Sequence, residues 1–102
     1  MARTEPPEMD RLYEALLTLE TKEECRAFLS DLCTIKEAQE MARRLQVAQL
    51  LDAGINYLEI GRQTTVSTAT ISRVNRALRY GAEGYRLVLD RLPEKEAADA
   101  DV

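Results

Sequence analysis

The stretch YLEIGRQTTVSTATISRVNRAL, Tyr57–Leu78, carries the strongest structural signal in this 102-residue chain. Its apolar residues follow a helical period on both sides of a short polar break. Ile71 and Val74 lie three residues apart, so they share one helix face, and Ser67 precedes that helix as a cap for its free amides. The pattern predicts a helix-turn-helix, and we expect the small Gly61 to let its two helices cross closely.

The face opposite Ile71 and Val74 has side chains that suit contact with DNA. They are short, hydrogen-bonding or cationic: Thr68, Ala69, Thr70, Ser72, Arg73, Asn75 and Arg76. Short side chains let a helix approach base edges in the major groove, and arginines meet guanines or phosphates. The alternative interpretation is a solvated helix face that happens to be basic.

The charge of the chain is distributed unevenly. The formal net charge of −4 by itself argues against a nucleic-acid partner. However, residues 57–86 contain 5 arginines and only 2 acidic residues, whereas residues 1–56 contain 7 basic and 11 acidic residues. Residues 87–102 contain 2 basic and 5 acidic residues. Because the positive charge coincides with the predicted helix-turn-helix, its distribution favours a DNA-binding surface there.

The flanking sequence predicts an all-α domain of about six helices over residues 8–92. Capping-box patterns begin at Thr21 and Thr34, and Gly54 is expected to end the longest helix in a left-handed conformation. The other helices are expected over about 8–19, 22–33, 35–53 and 82–92, with the helix-turn-helix at 57–78. The composition of residues 1–7 predicts a disordered lead-in, and the acidic composition of residues 93–102 predicts a disordered tail.

Several classes of protein are excluded by what the sequence lacks. No apolar run approaches the ~18 residues that span a bilayer, and the polar N-terminal segment lacks a secretory signal, so we expect a cytoplasmic, nucleoid-associated protein and no membrane partner. Cys25 and Cys33 lack zinc-ligand spacing and the chain has no histidine, so we expect no metal site and buried, reduced thiols. Without a histidine or a glycine-rich phosphate loop, neither enzymatic activity nor a cofactor is expected.

The first two predicted helices favour a homodimer. Each is only about twelve residues long, which is marginal for an isolated helix in water, and together they offer more leucine than a helix-turn-helix can cover. A second copy would bury that surplus and place two recognition helices ~34 Å apart, one turn of DNA. The alternative is a compact monomer in which these helices fold over the long helix.

The segment ATISRVNRAL, Ala69–Leu78, which follows a long helix ending in LLDAG, resembles the Trp repressor superfamily, and more closely its YerC/YecD-type group. The resemblance runs without gaps from about residue 32 to residue 92. It implies an intertwined homodimer that binds specific double-stranded DNA and regulates transcription as a repressor. The DNA-contacting positions that it implies are Thr68, Ala69 and Ser72 at base edges, Arg73 and Arg76 near phosphates, Tyr57 and Gln63 on the backbone, and the neighbouring Ser67 and Thr70.

The resemblance also bears on a ligand. In the tryptophan-binding member, two arginines sandwich the indole, and these match Arg43 and Arg73. The glycine that makes room for the ring matches Val74, and a serine that holds the amino group matches Ala77. These four residues mark a vestigial ligand pocket, which we expect Val74 to fill. The loss of space and of a polar anchor implies that free tryptophan does not bind usefully.

Two other functions stay open at this point. A helical protein-interaction module would keep the helix-turn-helix fold without binding DNA and would use the acidic ends of the chain as its contact surface. A regulator that senses a different small molecule would need a pocket that the residue pattern does not reveal. Sensitivity of DNA binding to salt separates the first of these from a DNA-binding protein.

Overall fold

A computed structural model describes residues 5–93, which form six α-helices and contain no strand. The all-α prediction of about six helices is therefore confirmed. In chain order the helices are α1 (Pro7–Leu16), α2 (Lys22–Leu32), α3 (Ile35–Asp52), α4 (Tyr57–Thr64), α5 (Thr68–Tyr80) and α6 (Gly84–Arg91). The chain divides into two compact units: unit 1 ends at Ala38, inside α3, and unit 2 begins at Gln39.

The ends of α1 differ most from the sequence-based expectation. The helix begins at Pro7, a residue assigned to the lead-in, because proline suits the first helical position, where its missing N–H costs nothing. It ends at Leu16 rather than near residue 19, and the Thr18 hydroxyl donates to the Ala15 carbonyl oxygen at 2.7 Å just beyond its end. Residues 5, 6 and 93 are described and lie outside the helices, whereas residues 1–4 of the predicted lead-in and residues 94–102 of the predicted tail lie outside the described residues.

The predicted helix caps are present. Thr34 and Glu37 form a complete capping box, in which each backbone N–H donates to the other side chain, at 2.9 and 3.0 Å. At the start of α2 the Thr21 hydroxyl accepts from the Glu24 N–H at 3.0 Å, but the Glu24 carboxylate accepts from the Glu20 N–H at 2.8 Å rather than from Thr21, so this predicted box is only half formed. Gly54 has φ +86°, so the predicted left-handed end of α3 is confirmed. These local bonds set where α2 and α3 begin and where α3 ends.

Unit 1 has amphipathic helices without a core of their own. Neither α1 nor α2 buries a residue, although both helices lie wholly within the described part of the chain. Leu17 is 84% exposed and Leu32 is 53% exposed. The expectation of buried thiols was wrong for Cys25, which is exposed, while Cys33 is half-buried. Short helices of this kind are stable in a protein only when other apolar groups pack against their apolar face.

Unit 2 contains the hydrophobic core, built from α3, α4 and α5. Its buried apolar residues are Val47, Ala48, Leu51, Ile60, Ile71, Val74 and Leu78, with Tyr85 and Leu89 of α6 packed against them. Ile71 and Val74, predicted to share the inner face of the second helix, are both buried, and Val66 in the turn is half-buried. The role expected of Gly61 was wrong, because a Cβ there would meet nothing nearer than the Val66 carbonyl oxygen at 4.0 Å.

Gly81, between α5 and α6, has no room for a side chain. A Cβ at this position would lie 2.4 Å from the Ala77 carbonyl oxygen, which belongs to the backbone and has little freedom to move. We expect Gly81→Ala to lower the free energy of unfolding, measured by urea denaturation, by at least about 1 kcal/mol. Gly84→Ala is the matched control, because a Cβ there meets nothing within 4 Å. Equal destabilisation by both substitutions would contradict this steric explanation.

An ion pair links α6 to the C-terminal end of α3. The Arg86 guanidinium donates to both carboxylate oxygens of Asp52, at 2.8 and 3.0 Å, and also to Asp90 at 3.0 Å. The hydrogen bonds from Arg86 hold the pKa of Asp52 below its ordinary value of 3.8; burial opposes this, and the charges of Arg86 and Arg79 add to it. Arg86 is thereby committed to a structural role.

The lowered pKa of Asp52 predicts a specific acid sensitivity. A carboxylate with a lowered folded-state pKa stabilises the fold above its unfolded value of 3.8, and this contribution is lost as the pH falls through the folded-state pKa. We expect the melting temperature of the native chain to fall more steeply below about pH 4 than that of Asp52→Asn. Glu83→Gln, which changes an exposed carboxylate, is the control. Parallel melting curves for native chain and Asp52→Asn would contradict the prediction.

Candidate nucleic-acid interface

Local hydrogen bonds orient the two helices of the helix-turn-helix. Asn56 Oδ1 accepts from the Glu59 N–H at 2.9 Å and caps α4. The Ser67 hydroxyl oxygen accepts from the Thr70 N–H at 3.1 Å and caps α5. Ser67 is thus occupied as a cap, as the sequence predicted, and its hydroxyl also donates to Thr70 Oγ1 at 3.1 Å. These caps fix the residues at which α4 and α5 begin, and the cap on α5 therefore sets where its exposed face starts.

The turn between α4 and α5 is closed by Thr64 and Thr65. The buried Thr64 hydroxyl donates to the Ile60 carbonyl oxygen at 2.7 Å and accepts from the Val66 N–H at 3.3 Å. Thr65 ends α4 with φ +60°, a left-handed conformation that a β-branched residue rarely adopts. The surrounding bonds hold Thr65 in this conformation and thereby set the path of the chain into α5.

The core side and the open side of α5 separate as the sequence predicted. Ile71 and Val74 are buried, at 1% and 2% exposure. The side chains expected at DNA lie on the remaining surface: Thr68, Ala69, Ser72, Arg73 and Arg76 are exposed, and Thr70 is half-buried. The open face is therefore rich in short hydrogen-bonding groups and carries two arginines.

Hydrogen bonding divides the arginines of this region into two groups. Arg62 pairs with Glu59 at 3.1 Å, and Arg86 is held by two aspartates. Arg73, Arg76 and Arg79 form no ion pair with any residue between positions 5 and 93, and of these three Arg79 donates to Asn75 Oδ1 at 3.2 Å. Sequence composition counts all five arginines of residues 57–86 as equal, whereas the structure leaves the charges of Arg73 and Arg76 available to a partner.

Gln63, expected at the DNA backbone, already has a partner in the chain. Its Nε2 donates to Glu59 Oε2 at 3.0 Å, while Arg62 donates to the other oxygen of the same carboxylate. DNA would therefore have to compete with Glu59 for the Gln63 amide. Tyr57, the other backbone residue expected, lies at the first position of α4 with 36% of its surface exposed.

A polar cleft lies on one flank of α5. It has a volume of about 390 Å³ and is lined by Glu40, Arg43, Arg44, Thr65, Val66, Ser67, Thr70 and Arg73. The structure thus brings Arg43 and Arg73 to one cavity, as the sequence comparison implied. Glu40 and Arg44 were not among the residues predicted for this pocket. Their positions relative to Arg43 were a usable signal, because residues at i, i+3 and i+4 share one side of a helix.

The other two residues of the predicted vestigial pocket lie elsewhere. Val74 is buried in the core and does not line the polar cleft. Ala77 lines a different, apolar cavity of about 450 Å³, together with Leu45, Ala82, Gly84, Tyr85 and Val88. The four predicted residues therefore do not form a single pocket in this chain.

A second polar depression, which we call the tyrosine groove, lies on the other flank of α5. It has a volume of about 530 Å³ and is lined by Tyr57, Ser72, Asn75, Arg76 and Tyr80. The resemblance assigned Tyr57, Ser72 and Arg76 to DNA contacts, the sequence placed Asn75 on the face that suits DNA without giving it a contact, and Tyr80 was not predicted. The spacing of four between Ser72, Arg76 and Tyr80 was the available signal, because it aligns them on one side of a helix.

Two structural tests bear on other kinds of site. Among residues 5–93 there is no group of three or more histidine, cysteine, aspartate or glutamate side chains arranged to hold a metal ion. None of the described helices combines the length and the apolar composition needed to cross a bilayer.

Comparison with known proteins identifies close relatives. The family model described as Trp repressor protein matches residues 7–93. The uncharacterized protein YerC of Bacillus subtilis is 49% identical over 89 residues, which cover 87% of this chain and 86% of YerC. A crystal structure of a proposed Trp repressor from Staphylococcus aureus is 46% identical, with a TM-score of 0.81 over 85% of this chain and 87% of that chain. A TrpR-like protein from Eubacterium eligens is 41% identical, with a TM-score of 0.82 over 88% of this chain and 95% of that one.

Proposed function

The chain belongs to the Trp repressor family, and from this membership we propose that it is a homodimeric regulator of transcription that binds specific DNA through α4 and α5. The proposed mode of action is repression at a site on the nucleoid. The fold and the helix-turn-helix supply the frame, and the chemistry of the open face of α5 supplies the argument for double-stranded DNA.

The observation that carries this proposal is the pair of uncommitted arginines on a helix that is buried only along its other side. Arg73 and Arg76 lack an ion pair within residues 5–93, and Thr68, Ala69 and Ser72 beside them are short and exposed. A helix in the major groove uses short side chains to approach bases and cations to neutralise phosphates.

The exposed apolar surface supports the homodimer. Unit 1 buries no residue in α1 or α2, and in unit 2 Leu87 and Val88 of α6 are 49% and 44% exposed. The apolar cavity beside α6 is open to solvent and lined by few polar groups. A second copy of the chain would remove this surface from water and pair two α5 helices for adjacent turns of DNA.

The proposal is tested by measuring the mass of the protein in solution and its binding to DNA. Sedimentation equilibrium is expected to give twice the mass of one chain, and DNA selected from a random pool is expected to contain a palindrome. A mobility shift with that DNA should weaken steeply with salt, with a slope of about −4 in log K against log salt if Arg73 and Arg76 of both protomers meet phosphates. A monomer, or the absence of a shift at low salt, would contradict the proposal and favour a protein-interaction module.

Tryptophan is expected not to act as the effector. The polar cleft that contains Arg43 and Arg73 is lined almost entirely by charged and hydroxyl side chains, with Val66 as its apolar exception, and offers an indole little apolar surface. Isothermal titration with L-tryptophan is expected to show no saturable heat up to about 1 mM, equivalent to binding weaker than ~4 kcal/mol. A dissociation constant in the micromolar range would contradict this expectation.

A further inference from the structure

We propose that the tyrosine groove, formed by Tyr57, Ser72, Asn75, Arg76 and Tyr80, holds the phosphodiester backbone of bound DNA beside the face that reads bases. This inference rests on the proposed DNA-binding function and assigns a purpose to Asn75 and Tyr80. It divides α5 into a part near its N-terminus, with Thr68 and Ala69, that approaches base edges and a part farther along that holds one strand, and it moves Ser72 from the first part to the second.

The lining of the groove consists of hydrogen-bond donors. Two phenols, one hydroxyl and one guanidinium can each donate to an oxygen. The Asn75 side chain also acts as a donor in the groove, because its Oδ1 already accepts a hydrogen bond from Arg79 Nε at 3.2 Å. Arg79 Nε–H is a donor only, so the acceptor end of the amide is occupied and its NH₂ group remains free to donate. All five side chains therefore offer protons to an acceptor.

The charge of the groove selects the class of acceptor. No carboxylate is among its lining residues, whereas the polar cleft on the other flank of α5 includes Glu40. Arg76 has no ion pair within the described part of the chain, so the groove has a net positive charge. A phosphodiester is anionic, has only acceptor oxygens and has no proton to donate, so its chemistry matches this lining.

The arrangement along α5 fits a strand rather than a single ion. Ser72, Arg76 and Tyr80 follow one another at intervals of four residues, and at 1.5 Å per residue they extend over about 12 Å. Each DNA strand has one phosphate per ~3.4 Å of the duplex axis, so this line of donors is long enough to pass more than one phosphate. Tyr80 is 86% exposed at the end of this line, where a partner can reach it.

The experiment uses the full chain and its selected DNA. Asn75→Asp keeps the size of the side chain and the acceptor for Arg79 but replaces the free NH₂ with a charged oxygen. We expect it to weaken binding at least ten-fold, to specific and random DNA alike. Tyr80→Phe, which removes one hydroxyl, is expected to weaken binding about three-fold, because one hydrogen bond to the strand is lost. Gln49→Glu is the control, because it adds the same charge at an exposed position of α3.

Neutral methylphosphonates placed one at a time in the duplex identify the partner. At one or two positions in each half-site, the penalty of Asn75→Asp should shrink, because the repelled charge is gone. The groove proposal is overturned if Asn75→Asp behaves like Gln49→Glu, if no phosphate position changes its penalty, or if the variant selects a different base sequence. If the native chain does not bind DNA, the proposed function is wrong. If the native chain binds DNA and the two substitutions leave its affinity unchanged, only the assignment of the groove is wrong.

Discussion

Ile60→Ala is expected to lower the free energy of unfolding of unit 2 by about 2–5 kcal/mol. Ile60 is fully buried, at 0% exposure, among residues of the core that joins α3, α4 and α5. Truncation removes buried methyl and methylene groups and leaves a cavity that a close-packed neighbourhood refills only in part. A small domain has only about 5–15 kcal/mol of stability in total, so this loss is a large fraction of it.

Leu58→Ala is the matched control for this substitution. Leu58 lies two residues away in α4 but is 79% exposed, so its truncation leaves no cavity in the core. Urea denaturation followed by circular dichroism is expected to show a change within about 0.5 kcal/mol for Leu58→Ala. Comparable losses for the two variants would mean that α4 is not anchored through Ile60.

Arg73→Ala and Thr68→Ala are expected to affect DNA binding in different ways. Arg73 has no ion pair within residues 5–93 and lies beside the open face of α5, and in a dimer its loss removes two cations. Binding to every sequence should then weaken by about 10–100-fold, with a salt slope lower in magnitude by about 2. Thr68, short and exposed at the first position of α5, is expected to change preference at one base position by about 1–3 kcal/mol.

Fluorescence anisotropy distinguishes these outcomes when each variant is titrated with the selected site, with single-base variants of it and with random duplex. Arg44→Ala is a useful comparison, because Arg44 lines the same polar cleft as Arg73 but belongs to α3 and not to α5. If Arg73→Ala and Thr68→Ala change specific and random binding equally, the assignment of phosphate and base roles is wrong. If Arg44→Ala matches Arg73→Ala, the cleft as a whole faces DNA.

Local patterns in the sequence were sufficient for the secondary structure and for the inward side of the helix-turn-helix. Capping boxes and a C-terminal glycine act through bonds within a few residues, so Thr34, Glu37 and Gly54 are correctly interpreted without knowledge of the fold. The same holds for Ile71 and Val74, because helical periodicity places them on one side whatever they pack against. Pro7 was misassigned because a proline signals both a helix start and an irregular segment.

Only the tertiary structure shows which arginines form ion pairs among the described residues. Arg86 and Asp52 are 34 positions apart in the chain, so no local pattern reveals that this arginine is committed to α3 while Arg73 and Arg76 are not. The separation of Arg43, Val74 and Ala77 into a cleft, a core and an apolar cavity has the same origin. Helical periodicity is a property of one segment, whereas ion pairing and cavity lining depend on which segments meet, and that follows from the packing of α3 to α6 around their common core.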